Sequence, residues 1–166
     1  MPDNLSQRHR NADIRLCLTD RETRTVPDRS LNLQLLPGSM AVCRLELDRQ
    51  VPEELMQAPF YSIARTADEL SVVCPERLVP GDAKAEKGWR VLKVEGPLDL
   101  AMTGVLANLT KSLAQANVSV FALSTYDTDY LLIRAADVTA AVSALRTEGH
   151  GVVVDSGQWY TKMDRP

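Results

Sequence analysis

From Trp89 to Val154 the apolar residues switch between a spacing of two and a spacing near 3.6, and the order of those switches leaves few folds open. Trp89–Glu95 (WRVLKVE) reads as a strand, broken by Gly96-Pro97. Between Leu100 and Ala116, Met102, Val105, Leu106, Leu109 and Leu113 fall on one helical face, with Thr103, Asn108, Lys111 and Gln115 opposite. VSVFALST (118–125) is a strand, YDT a turn and DYLLIR (129–134) a strand. Val138, Ala141, Val142 and Leu145 form the stripe of a second helix ended by Gly149, and Val152–Val154 supplies a last strand. The succession β-α-β-β-α-β predicts an α+β, ferredoxin-like unit, an antiparallel four-stranded sheet with both helices on one face.

The first half repeats this succession in shortened form. LNLQLL (31–36) alternates, Pro37-Gly38-Ser39 turns, and Ala41–Leu47 alternates again. Pro52 opens PEELMQ as a helix with acids in its first turn, and Pro59 limits it to a couple of turns. FYSIART and ELSVVC are strands. A shift of sixty residues lays Ile63 over Leu123, Glu69 over Asp129, and Val72-Val73 over Leu132-Ile133, the mark of an internal repeat with one abbreviated helix. The predicted organisation is a polar N-terminal arm (1–29) with one short strand candidate at Ile14–Leu18, an abbreviated copy (30–80), a linker (81–87), a full copy (88–155) and a tail (156–166) whose Trp159-Tyr160 could fold back on the body. A chain of 166 residues accommodates two such small units, which gain by pairing sheets or helices.

Composition narrows the function. Nineteen basic against 22 acidic side chains give a net charge of −3, which argues against a nucleic-acid surface. No apolar run approaches the roughly 18 residues of a membrane span, and the polar N-terminus is not a secretory signal, so a cytoplasmic protein is expected. Cys17, Cys43 and Cys74 are odd in number and lack a CxxC, so neither a disulfide framework nor a zinc site is indicated; Cys43 and Cys74 read as small buried hydrophobes. His9 and His150 read as solvated, leaving no Ser/His/Asp or Cys/His constellation. No catalytic residue, metal or cofactor is predicted.

Two segments of the second half exceed what packing requires. GPLDLAMTG (96–104) runs from a strand into a helix, where unpaired N–H groups favour a carboxylate or phosphate; Asp99 could equally be the N-cap that satisfies them. Neither GxGxxG nor a P-loop lysine is present. STYDTDY (124–130) is a hairpin turn richer in hydroxyls and carboxylates than a turn needs, and the DxD of Asp127 and Asp129 reads as turn chemistry rather than a metal site. A carboxylate here, opposite amides at a helix start, would suit a zwitterion.

These segments, GWRVLKVEGPLDLAMTGVLANLTKSLAQAN followed by VSVFALSTYDTDYLLIR, resemble the amino-acid-binding ACT domains, in particular small bacterial tandem-ACT proteins related to the animal cytosolic arginine sensors and to aspartate kinase regulatory domains. The resemblance is specific over 88–148 and is one of pattern over 31–79. It implies a non-catalytic regulatory module that binds an amino acid or similar small metabolite between two ACT units, or alternatively a purely structural dimerisation or protein-docking module. By resemblance the ligand residues are Asp99, Leu100, Ala101, Met102 and Thr103 of the loop, Thr125, Tyr126 and Asp129 of the hairpin, and Ser119 and Val120 at a strand start. Asp129 would hold a ligand ammonium or other cation, Ser119 and Val120 would offer hydroxyl and backbone groups, and Tyr126 would wall the site. Met102 replaces an acidic residue of the arginine sensors and Asp99 a glycine, so the resemblance does not carry arginine specificity with it. One full ACT unit per chain implies a homodimer, with an unknown protein partner receiving the signal.

Overall fold

A computed structural model of the chain describes residues 30–154. The expected N-terminal arm with Cys17 and His9, and the tail with Trp159 and Tyr160, lie outside the described residues. The elements run β1 (Asn32–Leu35), β2 (Met40–Leu45), α1 (Glu53–Met56), β3 (Ser62–Arg65), β4 (Leu70–Pro75), β5 (Lys84–Val94), α2 (Val105–Gln115), β6 (Val120–Ser124), β7 (Asp129–Arg134), α3 (Val138–Thr147) and β8 (Gly151–Val154).

The strands form one eight-stranded sheet, and β5 is its axis. The first part of β5 pairs with β2, giving a first unit with strand order β3-β4-β2-β5. Its second part, Trp89–Lys93, pairs with β7, giving a second unit in which β6, β7, β5, β1 and β8 lie side by side. The ferredoxin-like arrangement thus occurs twice around a shared strand. Two details differ from the expectation. First, β1 inserts between β5 and β8 and runs parallel to β8, so the sheet is not wholly antiparallel. Second, Lys84–Lys87, expected within a linker, are strand. Their apolar alternation is broken by a bulge where Gly88 takes φ +79, so a paired strand reads in sequence as polar connection.

That bulge keeps the helix side of both units on one face of the sheet. On this face Leu92 and Val94 of β5, Leu131 and Ile133 of β7, and Leu33 and Leu35 of β1 pack under Leu109 and Leu113 of α2 and Ala141 and Leu145 of α3. Also on this face, before the bulge, Ala85 joins Cys43, Val72 and Cys74 beneath Leu55 of α1. On the opposite face, Met40, Val42 and Val73 of the first unit meet Trp89, Val91, Leu132 and Phe121 of the second, with Phe60 stacked 4.9 Å from Tyr130. One apolar cluster thus fills each unit on the helix face, and the third, on the opposite face, joins the two.

The missing helix of the first unit has a local cause. Both β4 and β7 run into a 3-10 turn, Glu76–Leu78 and Ala135–Asp137. After the second turn Val138-Thr139-Ala140-Ala141 continues as α3; after the first come Pro80 and Gly81, which do not continue a helix. Cys43 and Cys74 are buried as expected, and their thiol–thiol hydrogen bond together with burial pushes the Cys74 thiol far up, keeping it neutral. His150 corrects the expectation of a solvated residue. It is 4% exposed, and its Nδ1 accepts the Leu31 N–H at 3.1 Å, fastening the start of β1 beside β8. Among the described residues no helix is long and apolar enough to cross a membrane.

Candidate functional site

The loop after β5 and the β6–β7 hairpin, far apart in sequence, meet at one end of the second unit. Gly96 lets them touch: a Cβ there would lie 2.7 Å from the Asp127 carbonyl oxygen and 3.2 Å from the Thr128 Cβ, so any side chain would push the loop off the hairpin. The Gly96-Pro97 peptide is cis, and the Leu98 N–H then donates to the Asp127 carbonyl at 2.8 Å. Buried Thr128 ties the hairpin back to the sheet by donating from its hydroxyl to the Val94 carbonyl at 2.6 Å. The hairpin closes on itself through the Thr125 N–H and hydroxyl, both donating to the Thr128 carbonyl, while the Ser124 hydroxyl donates to Asp129 Oδ1 at 2.6 Å.

The helix starts later than its periodicity predicts. Leu100–Thr103 are loop and α2 begins at Val105, because Gly104 adopts φ +82 and ends the turn before it. This decides between the two readings of Asp99. Its Oδ1 accepts the Ala101 N–H at 2.9 Å and its carbonyl accepts the Met102 N–H at 2.8 Å, so Asp99 folds the loop and does not cap the helix. Gly104 is the N-cap, no side chain caps α2, and its first turn carries no acid. The amides at that helix start keep their attraction for a negative group.

Between loop, helix start and hairpin lies a cleft of about 320 Å³, lined by Leu98, Asp99, Leu100, Met102, Gly104, Val105, Leu106, Ala107 and Ser124–Asp129. That volume is near the lower end for ligand sites, which run from roughly 300 to 1,000 Å³, and suits a small metabolite. Six of the residues expected at the site line it: Asp99, Leu100, Met102, Thr125, Tyr126 and Asp129. Ala101 and Thr103 belong to the same loop without lining the cleft. Ser119 and Val120 lie at the other end of β6, the full length of the strand away. Thr128 and Gly104 were not foreseen; the T-x-x-T spacing of Thr125 and Thr128 is the signal that could have found the first.

The cleft is charged unevenly. Asp99, Asp127 and Asp129 contribute carboxylates, and its lining contains no Lys, Arg or His. The uncapped start of α2, Gly104–Ala107, lines the same cleft. Two large side chains, Tyr126 at 79% and Leu100 at 70% exposed, stand at the rim with their apolar surface in water.

This fold is that of the ACT domains. The family model described as ACT domain matches residues 84–147, and a second, described as an N-terminal domain, matches 38–82. A crystal structure of an Agrobacterium tumefaciens protein is 31% identical, with a TM-score of 0.72 over 76% of this chain and 95% of that one. The regulatory subunit of aspartate kinase from Thermus thermophilus shares the fold at 12% identity, TM-score 0.53, over 70% and 95% of the two chains. The cytosolic arginine sensor for mTORC1 subunit 1 is 31% identical in Bos taurus and 30% in Homo sapiens over 100 residues, covering 54% of this chain and 30% of each sensor. The chain belongs to the ACT-domain family, and spans under a third of the length of the sensors it matches.

Proposed function

We propose that the protein is a non-catalytic regulatory module that binds a free amino acid in the cleft between the Gly96–Gly104 loop and the 125–128 hairpin. The observation that carries this reading is that an uncapped helix start and three carboxylates line one small cleft. The amides suit the ligand carboxylate and Asp129 its ammonium. With three carboxylates and no basic side chain in the lining, an amino acid bearing a second cation fits better than an acidic one, whose side chain would meet like charge. The sensor relatives are arginine sensors by name, in keeping with that preference. The same name supports a cytosolic setting.

The cleft is completed by a second copy of the chain. The Thr125 N–H bonds the Thr128 carbonyl, so Thr125 and Thr128 are a hydrogen-bonded pair, and alternation along the hairpin turns the backbone groups of Val120, Ala122 and Ser124 away from β7. Among the described residues that edge pairs with nothing, and β6 carries no Lys or Pro to discourage pairing. Two β6 strands joined antiparallel about a two-fold axis at Ala122 match every outward residue: Val120 with Ser124, Ala122 with itself. This register sets the partner's Ser119 beside Thr125, bringing the strand start to the hairpin. A ligand held there favours the dimer over separated chains, and that difference is the signal a partner protein reads.

Thermal-shift measurement against each proteinogenic amino acid tests the reading. At about a hundred times its Kd the ligand adds roughly 2.7 kcal/mol, or about 5–10 °C in Tm for a chain this long. Basic amino acids should give the largest shift, acidic ones none, and Asp129→Ala should remove the response while leaving the ligand-free Tm nearly unchanged. A midpoint unmoved by every amino acid would leave a structural dimerisation module.

A further inference from the structure

In the first unit the corresponding gap is bridged from within. The β2–α1 connection, residues 46–52, takes the place of the Gly96–Gly104 loop, and Thr66–Glu69 takes the place of the cleft hairpin; the shared closure of Thr66 on Glu69 and of Thr125 on Thr128 sets the repeat one residue short of the expected sixty, so Arg65 falls where the second unit has Ser124, a residue of the cleft lining. The Arg65 guanidinium reaches across to this connection, donating from Nη1 to the Leu47 carbonyl and from Nη2 to the Arg49 carbonyl at 3.3 Å. Arg44 braces the hairpin beside it, donating to the Asp68 carbonyl at 3.1 Å and pairing with Glu69 at 3.7 Å. A planar fork of donors set against two loop carbonyls is the geometry a guanidinium seeks, and an ammonium does not reproduce it.

We infer that the Leu47 and Arg49 carbonyls of the first unit form a guanidinium site, and that the chain's own Arg65 fills it. This goes beyond the amino-acid reading above and does not depend on it. Arg65 acts as a fixed internal occupant that closes the loop onto the hairpin.

Hydrogen exchange read by mass spectrometry on the full chain tests this, with methylguanidinium as the probe. In Arg65→Ala, peptides covering residues 46–52 should exchange about five to tenfold faster, in keeping with the loss of hydrogen bonds from a charged donor, while the 96–104 loop keeps its parent rate. Millimolar methylguanidinium should slow exchange in the variant and leave the parent unchanged, and methylammonium at the same concentration should do neither. Arg65→Gln serves the same comparison if the alanine variant does not fold. Unaltered exchange at 46–52, or equal action of the two cations, would overturn the assignment, and neither result bears on amino-acid binding in the second unit.

Discussion

Leu132→Ala is expected to cost about 2–5 kcal/mol, a large part of the total stability of a small protein. Leu132 is fully buried in β7, paired to Val91 of β5, and lies in the cluster where Met40 and Val73 of the first unit meet Trp89 and Phe121 of the second. Removing its side chain opens a cavity between the units rather than within one. Because β5 is hydrogen-bonded into both units, the loss should fall on the whole sheet. Urea unfolding followed by circular dichroism should show one transition at a lower midpoint with the slope unchanged, and amide exchange of β4 and β7 should rise together. Loss of protection in β7 with β4 still protected would show that the units unfold separately.

The second large effect is on assembly. Ala122→Pro should convert the proposed dimer to a monomer and weaken amino-acid binding, while the chain stays folded. The position matters: the Ala122 N–H points to the free edge, so proline removes a donor that β7 does not use, and an edge strand tolerates the ring. Phe121→Pro makes the contrast, since its N–H faces β7 and its loss should damage the fold itself. Sedimentation velocity on the folded Ala122→Pro protein checks the first outcome, and an intact dimer would place the interface elsewhere.

Much of this architecture was legible in the sequence, for an identifiable reason. Strands and helices of the second unit each bury one face, so Leu92, Leu109, Leu131, Ile133 and Leu145 carry the period of their own element. Partner choice leaves no such local trace. Nothing in NLQL says that β1 lies between β5 and β8, and the polar KAEKG stretch conceals a strand because the Gly88 bulge interrupts its alternation. His150 looked solvated because its role, accepting a backbone N–H from Leu31, depends on that same insertion.

The site was legible in its parts and not in its joinery. Loop and hairpin were each conspicuous for excess polar residues, and the structure brings Asp99 and Asp129 to one cleft. Spacing alone left Asp99 as either cap or site residue; only the positive φ of Gly104, which delays the helix, resolves it. Ser119 and Val120 cannot reach the cleft within one chain, since β6 stands between them and the hairpin. The part in binding proposed for them requires an antiparallel β6 pairing, and so a cleft shared between two copies.

Complementation between two silent variants tests the shared cleft. Ser119→Glu spoils the strand start at an exposed position, Asp129→Ala spoils the hairpin, and by titration calorimetry neither homodimer should bind the amino acid that the parent binds. After the two are mixed and allowed to exchange subunits, half the dimers are mixed, and each has one cleft built from the intact Asp129 of one copy and the intact Ser119 of the other. About a quarter of the parent's binding capacity should return. A mixture in which subunits exchange but binding does not return, or a Ser119→Glu homodimer that binds as the parent does, would contradict a cleft shared between two chains.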